Sequence, residues 1–246
     1  MSRGRLIGWL FGVSTFGLLL SWWNWDRFTS PILLDPLIDQ EPRQQQVQRA
    51  AFEVEANDVT YRVQPLYRYE LTGLVVSLKR FKKDIGIHQR WNDFINVADV
   101  CVVWGSNARD IDLDAFRFWN GEFTCNFKTR DPEAWAAFDQ YKISNNHLLS
   151  DDLRLQRELK RLQVGDQITM RGWLAEYGEP GRPVRGTSTT RNDTGDGACE
   201  TVYLDDFLIL GSMTSSWRRL WWPTLAGLLA AIGLWLITPH HHIRKR

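Results

Sequence analysis

Two stretches of this chain carry no charge over a length that crosses a lipid bilayer, and they lie near opposite ends. Residues 6–23 read LIGWLFGVSTFGLLLSWW, where the only polar side chains are the hydroxyls of Ser14, Thr15 and Ser21. Residues 220–238 read LWWPTLAGLLAAIGLWLIT, with Pro223 in the first turn, where a missing N–H costs little. About 20 apolar residues at a helical rise of 1.5 Å cross a hydrocarbon core. A cleaved signal peptide needs a small-x-small site after its apolar run, and Ser21-Trp22-Trp23-Asn24-Trp25 does not provide one. The expectation is a hairpin of two membrane spans around one loop domain. A mean hydropathy of −0.34 excludes a polytopic transporter, which is apolar along most of its length.

Tryptophan supports the same topology. Of 13 tryptophans, Trp22, Trp23, Trp25, Trp217, Trp221 and Trp222 flank the loop-side ends of the two runs. Indole is amphipathic and settles at headgroup depth. Trp9 and Trp235 fall inside the runs, and Trp91, Trp104, Trp119, Trp135 and Trp173 are expected to supply the core of the loop domain. Basic residues set orientation. Arg3 and Arg5 precede the first run, and Arg244, Lys245 and Arg246 follow the second, after His240, His241 and His242. Both termini are therefore expected in the cytoplasm, although Arg218 and Arg219 oppose the rule. The loop domain then lies outside the cytoplasm, which for the inner membrane of a Gram-negative cell means the periplasm.

Within the loop, Pro31, Pro36 and Pro42 mark residues 24–58 as a linker, with a short helix possible at residues 44–48. Residues 59–211 read as the folded domain. Residues 67–78 are rich in β-formers, with Gly73 marking a bend. Residues 99–104 form a buried apolar strand, and Asn120-Gly121 between aromatic runs predicts a two-residue hairpin turn. Asp131-Pro132 starts one short helix and Ser150 caps a second, running to Leu162. Val164-Gly165-Asp166 opens a strand, and residues 200–210 form the last one. This order of strand types resembles an oligonucleotide/oligosaccharide-binding (OB) barrel with an inserted hairpin. The expected fold class is mainly β with short helices, held between transmembrane helices at residues 6–23 and 220–238. Residues 1–5 form a cytoplasmic tip, 212–219 a juxtamembrane segment and 239–246 a basic cytoplasmic tail.

Three strings, Trp104-Gly105, Ser144-Asn145-Asn146-His147-Leu148-Leu149 and residues 186–200 (GTSTTRNDTGDGACE), together resemble the signature of a family of bacterial membrane-anchored proteins with no assigned reaction. The resemblance implies architecture and no chemistry.

The chemistry-bearing residues are few. Cys101, Cys125 and Cys199 are an odd number with no C-x-x-C spacing, which argues against zinc and thioredoxin-type chemistry. Cys125 and Cys199 are the expected pair if one forms; the alternative is three reduced, buried thiols. His88 and His147 are the only histidines of the loop domain, and neither has a second histidine at metal-ligand spacing. Asp193-Thr194-Gly195 matches an aspartic-protease tripeptide without its apolar context, and Asp110, Asp112 and Asp114 lack the glycine of a calcium loop. No metal or cofactor is expected. The glycine-rich stretch 178–197 carries Arg182, Arg185 and Arg191, which can grip a carboxylate or phosphate. A net charge of +1 argues against a nucleic-acid partner.

The expected function is binding or assembly. A protein, glycan or lipid-headgroup partner would be held by a recognition face of Asn145, Asn146, His147, Arg185, Arg191 and Asp193. The alternative is an envelope hydrolase or accessory enzyme using His147 with Asp193 or Cys199 as catalytic groups.

Overall fold

The computed structural model describes residues 2–28, 33–81, 86–191, 193–194, 198–213 and 215–238. In chain order, the elements are helix α1 (Arg3–Trp23), strands β1 (Arg43–Gln46), β2 (Phe52–Ala56) and β3 (Val59–Arg80), helix α2 (Ile87–Arg90), β4 (Asn96–Val103), α3 (Ser106–Arg109), β5 (Phe116–Asn120), β6 (Cys125–Thr129), α4 (Pro132–Ala137), β7 (Ile143–Leu149), α5 (Leu153–Arg161), β8 (Asp166–Gly178), β9 (Cys199–Ser212) and α6 (Ser216–Ile237). They form two compact units. One holds Met1–Pro31 and Thr214–Arg246, the other Ile32–Met213.

In the first unit, α1 and α6 are both long and apolar enough to cross a membrane. Their apolar side chains mostly point outward, whereas Ser14, Ser21 and Ala231 are buried where the helices meet. A Cβ on Gly17 would lie 2.5 Å from Thr224 Cγ2, and one on Gly227 would lie 2.4 Å from Ser14 Oγ. Ser21 Oγ donates to the Trp217 carbonyl at 2.6 Å. Close contact through small and hydroxyl residues suits lipid, where tails compete with any apolar contact. Trp25 and Trp221 meet edge to face at 5.6 Å, and Arg218 Nε donates to the Trp25 carbonyl at 3.0 Å. Arg218 therefore has a local role that a charge count misses. The expected basic tail, 239–246, lies outside the described residues.

The second unit is organised by β3, whose 22 residues outrun any single partner. One edge pairs antiparallel with β8; the other pairs in succession with β2, β1 and β4. Gly73 and Leu74 sit where pairing with β8 ends and pairing with β4 begins. A Cβ on Gly73 would lie 2.4 Å from Val102 Cγ1 and 2.7 Å from the Val103 carbonyl oxygen. Overpacking of this kind costs about 1–3 kcal/mol. Gly73→Ala is expected to lower the denaturant midpoint accordingly at unchanged m-value. The pairings then run β4 with β7, β7 with β9, and β9 with β8, returning to β3 as a ring of five strands. Only β7 and β9 pair in parallel within it. The fold is thus mainly β sheet with several short helices.

Several expectations change. Residues 24–58 are not all linker, because β1 and β2 pair with β3 and Ile38 is buried in a 3₁₀ turn. The glutamines at 44–46 extend as a strand against Tyr67, Arg68 and Tyr69, so no helix starts there. Asn57 and Asp58 both adopt positive φ and make the tight β2–β3 turn. The Asn120-Gly121 signal marks the right hairpin with the wrong register. Asn120 pairs with Cys125, leaving a four-residue loop 121–124. Asp131 caps α4 as expected, while α5 is capped by Asp152, not Ser150. Of the five domain tryptophans, Trp104 is buried, but Trp91, Trp119 and Trp135 are exposed.

Candidate functional site

Three adjacent strands bring the chemistry together. β4 runs antiparallel to β7, placing Asp99 opposite His147 and Cys101 opposite Asn145. β7 runs parallel to β9, placing Asn145 opposite Cys199. Directly opposed side chains share a sheet face, and side chains two residues apart do so as well. Asp99, Cys101, Asn145, His147 and Cys199 therefore share one face.

The β5–β6 hairpin closes over that face. A disulfide joins Cys101 to Cys125, with Cα atoms 5.7 Å apart, and leaves Cys199 as a free thiol. The expected Cys125–Cys199 pair is thus replaced by Cys101–Cys125. Cys101 is fully buried in its apolar strand, yet β6 delivers Cys125 directly to it. In the loop 121–124, Phe123 takes a left-handed φ of 59°, uncommon for a bulky side chain. That turn aims its carbonyl at the thiol. Asn145 Nδ2 donates to this carbonyl at 3.1 Å, and the Cys199 thiol lies 3.2 Å from it as a second donor.

His147 is the centre of the site. Its Nδ1 is 2.6 Å from Asp99 Oδ1, and Cys199 lies on the same sheet face. Burial works against the charged ring. The hydrogen bond and charge of Asp99, reinforced by Cys199, outweigh it and raise the His147 pKa to about 9. Asp99 itself is fully buried. Asn145 Nδ2 lies 3.4 Å from Cys199 Sγ, so a deprotonated sulfur would face this amide donor. Asn145 Oδ1 in turn accepts from Asn120 Nδ2 at 3.4 Å, and Asn120 Oδ1 accepts from Ser77 Oγ at 2.6 Å. This chain of amides fixes which end of Asn145 points at the sulfur.

Cys199 opens onto a polar cavity of about 380 Å³, whose walls include Cys125, Asn126, Ser144, Asn145 and Asp193. Asp193 is the only charged side chain among the described residues lining it. A nucleophilic sulfur, a histidine to move its proton, a carboxylate to orient that histidine and an amide donor beside the sulfur can together perform thiol chemistry.

The residues expected to form a recognition face are thus distributed. Asn145, His147 and Asp193 gather around the thiol. Asn146 points to the opposite face, where it is buried and donates to Ser144 Oγ at 2.8 Å. The 144–149 segment is a buried central strand. Arg191 pairs with Glu200 at 2.8 Å and lies over Trp104. Burial, opposed by Arg191, raises the Glu200 pKa to about 7. Arg185 pairs with buried Asp93 at 3.2 Å and lies against the faces of Trp91 and Phe123. It lines a separate, more aromatic cleft of about 470 Å³. Asp93 also accepts from the Tyr177 hydroxyl and pairs with His88 Nδ1, both at 2.8 Å. Asp193 accepts from Ser188 Oγ, and the acid on His147 is Asp99. Gly195 of the protease-like tripeptide lies outside the described residues.

Sequence reasoning missed Asp99 and Phe123. Asp99 left a signal, as a lone carboxylate inside the apolar run Val97–Val103 that demands a buried partner. The Phe123 backbone left none. Compared with known proteins, no family model matches this chain, and no curated protein matches it.

Proposed function

We propose that this chain is a membrane-anchored thiol enzyme of the bacterial envelope. Cys199 is its nucleophile for acyl transfer or hydrolysis on a polar substrate. The observation that carries the reading is the buried Asp99–His147 pair on the same sheet face as the free Cys199 thiol. His147, charged in the resting site, gives its proton to the leaving group, Asp99 orients the ring, and Asn145 Nδ2 supplies a donor for developing negative charge. In this reading the ring of strands is an OB barrel. The pairing order β3-β4-β7-β9-β8, the parallel β7–β9 pair and helix α5 between β7 and β8 support it. The Cys101–Cys125 disulfide supports placing this domain in an oxidising compartment, the periplasm, with α1 and α6 spanning the inner membrane and both termini cytoplasmic.

The Asp193 carboxylate in the cavity wall favours neutral or cationic substrates over anionic ones. Cationic aminoethyl methanethiosulfonate is expected to modify Cys199 faster than its anionic sulfonatoethyl analogue. Asp193→Asn should shrink that preference by about tenfold, the effect of a unit charge several ångströms away in a half-buried site. Intact-mass kinetics read the ratio, and an unchanged ratio would remove Asp193 from the substrate site.

A second reading, a non-catalytic binding or assembly protein for a protein, glycan or lipid headgroup, draws support from the aromatic cleft around Trp91 and Arg185. A partner retained by Cys199→Ser but lost by Trp91→Ala would favour it.

A further inference from the structure

We propose that Cys199 also exchanges with the Cys101–Cys125 disulfide, so that the domain interconverts two disulfide isomers. The proposal rests on the reading of Cys199 as a nucleophile. Cys199 and Cys125 line the same cavity, whereas Cys101 is buried on the far side of Asn145. Cys125 is therefore the sulfur open to attack. The loop between the two sites is short: the Phe123 carbonyl that touches Cys199 is two residues from Cys125.

Each end of the exchange carries its own amide donor. Asn145 Nδ2 lies 3.4 Å from Cys199 Sγ, and Asn120 Nδ2 lies 3.6 Å from Cys101 Sγ. The two amides are hydrogen-bonded to each other. One steadies the attacking thiolate and the other steadies the leaving one.

The step balances within the chain. Cys199 releases its proton, and the thiolate attacks Cys125 Sγ. The Cys125–Cys199 bond forms as the Cys101–Cys125 bond breaks, and Cys101 departs with the electron pair. Charged His147 gives its proton to the Cys101 thiolate and is recharged by the proton that Cys199 released. One disulfide and one thiol are present before and after, so no external oxidant or reductant is needed. The staple of the β5–β6 hairpin moves from β4 to β9, and the nucleophile is masked. The exchange thus sets the fraction of chains with a reactive Cys199.

Disulfide mapping by mass spectrometry tests this on the full chain in detergent, purified without reductant, held at pH 8, quenched with acid and digested with pepsin. Wild type is expected to give both Cys101–Cys125 and Cys125–Cys199 peptides. Cys199→Ser should give the first alone, and Cys101→Ser with glutathione disulfide the second. Absence of the Cys125–Cys199 peptide from wild type overturns the exchange whatever the variants do. Iodoacetamide labelling of Cys199 in the same sample separates the two ideas. Labelling without exchange leaves the nucleophile reading standing, while neither labelling nor exchange removes both.

Discussion

Cys199→Ser is expected to abolish modification of the purified chain by iodoacetamide and by activated acyl esters, and His147→Ala to slow both by at least about a hundredfold at pH 7. That is the low end of what a positioned proton-transfer group contributes. The sulfur is the only free thiol among the described residues, so its loss has no substitute. Asp99→Asn should fall between wild type and His147→Ala. It keeps a partner for the ring but removes the charge that holds the imidazole in place. Intact-mass kinetics with circular dichroism as a folding control make the measurement. A folded His147→Ala chain reacting within about threefold of wild type would leave no catalytic histidine, given the usual size of that contribution.

Asp99→Ala is expected to cost about 3–5 kcal/mol of stability, because it removes one partner of a buried ion pair and leaves the other uncompensated. Asp99 is fully buried and His147 nearly so, and the pair is joined at 2.6 Å. The double variant Asp99→Leu, His147→Leu should recover much of the loss, since it removes both charges at once. The pH dependence has a definite sign. The folded His147 pKa is raised to about 9, above its ordinary value near 6.5. Protonation therefore favours the folded state. The contribution is fully present below about pH 6.5 and is lost as pH rises through about 9. Denaturation midpoints of wild type should fall across that window, and the fall should flatten in Asp99→Ala. A wild-type midpoint that holds constant from pH 6.5 to 9 would contradict the assigned protonation.

The two largest predictions rest on residues of unequal visibility in the sequence. His147 and Cys199 are candidates by residue type alone, and both lie in the strings 144–149 and 186–200. Residue type offers Asp193 or Cys199 as a partner for His147, whereas the carboxylate that meets the ring is Asp99. Asp99 lies 48 positions from His147 and meets it only because β4 and β7 pair in one particular register. A shift of one residue would send the carboxylate to the other face. The disulfide was misassigned for the same reason. Its outcome depends on the hairpin register, and the Asn120-Gly121 signal located the hairpin without fixing its four-residue loop.

Local chemistry determined much by itself. Charge-free runs of bilayer length, flanking tryptophans, proline and glycine punctuation and period-two patterning depend on neighbours along the chain. They yielded two apolar helices, a β-rich domain between them and most of its longer strands. Only the tertiary structure decided that the supposed linker adds strands to β3, that three of five domain tryptophans face outward, and that residues 144–149 are a central strand. It alone placed Asp99, His147, Asn145 and Cys199 on one face under a stapled hairpin. These are questions of register and closure among residues far apart in the chain. A one-dimensional pattern specifies which residues seek burial but not which strand they meet when buried.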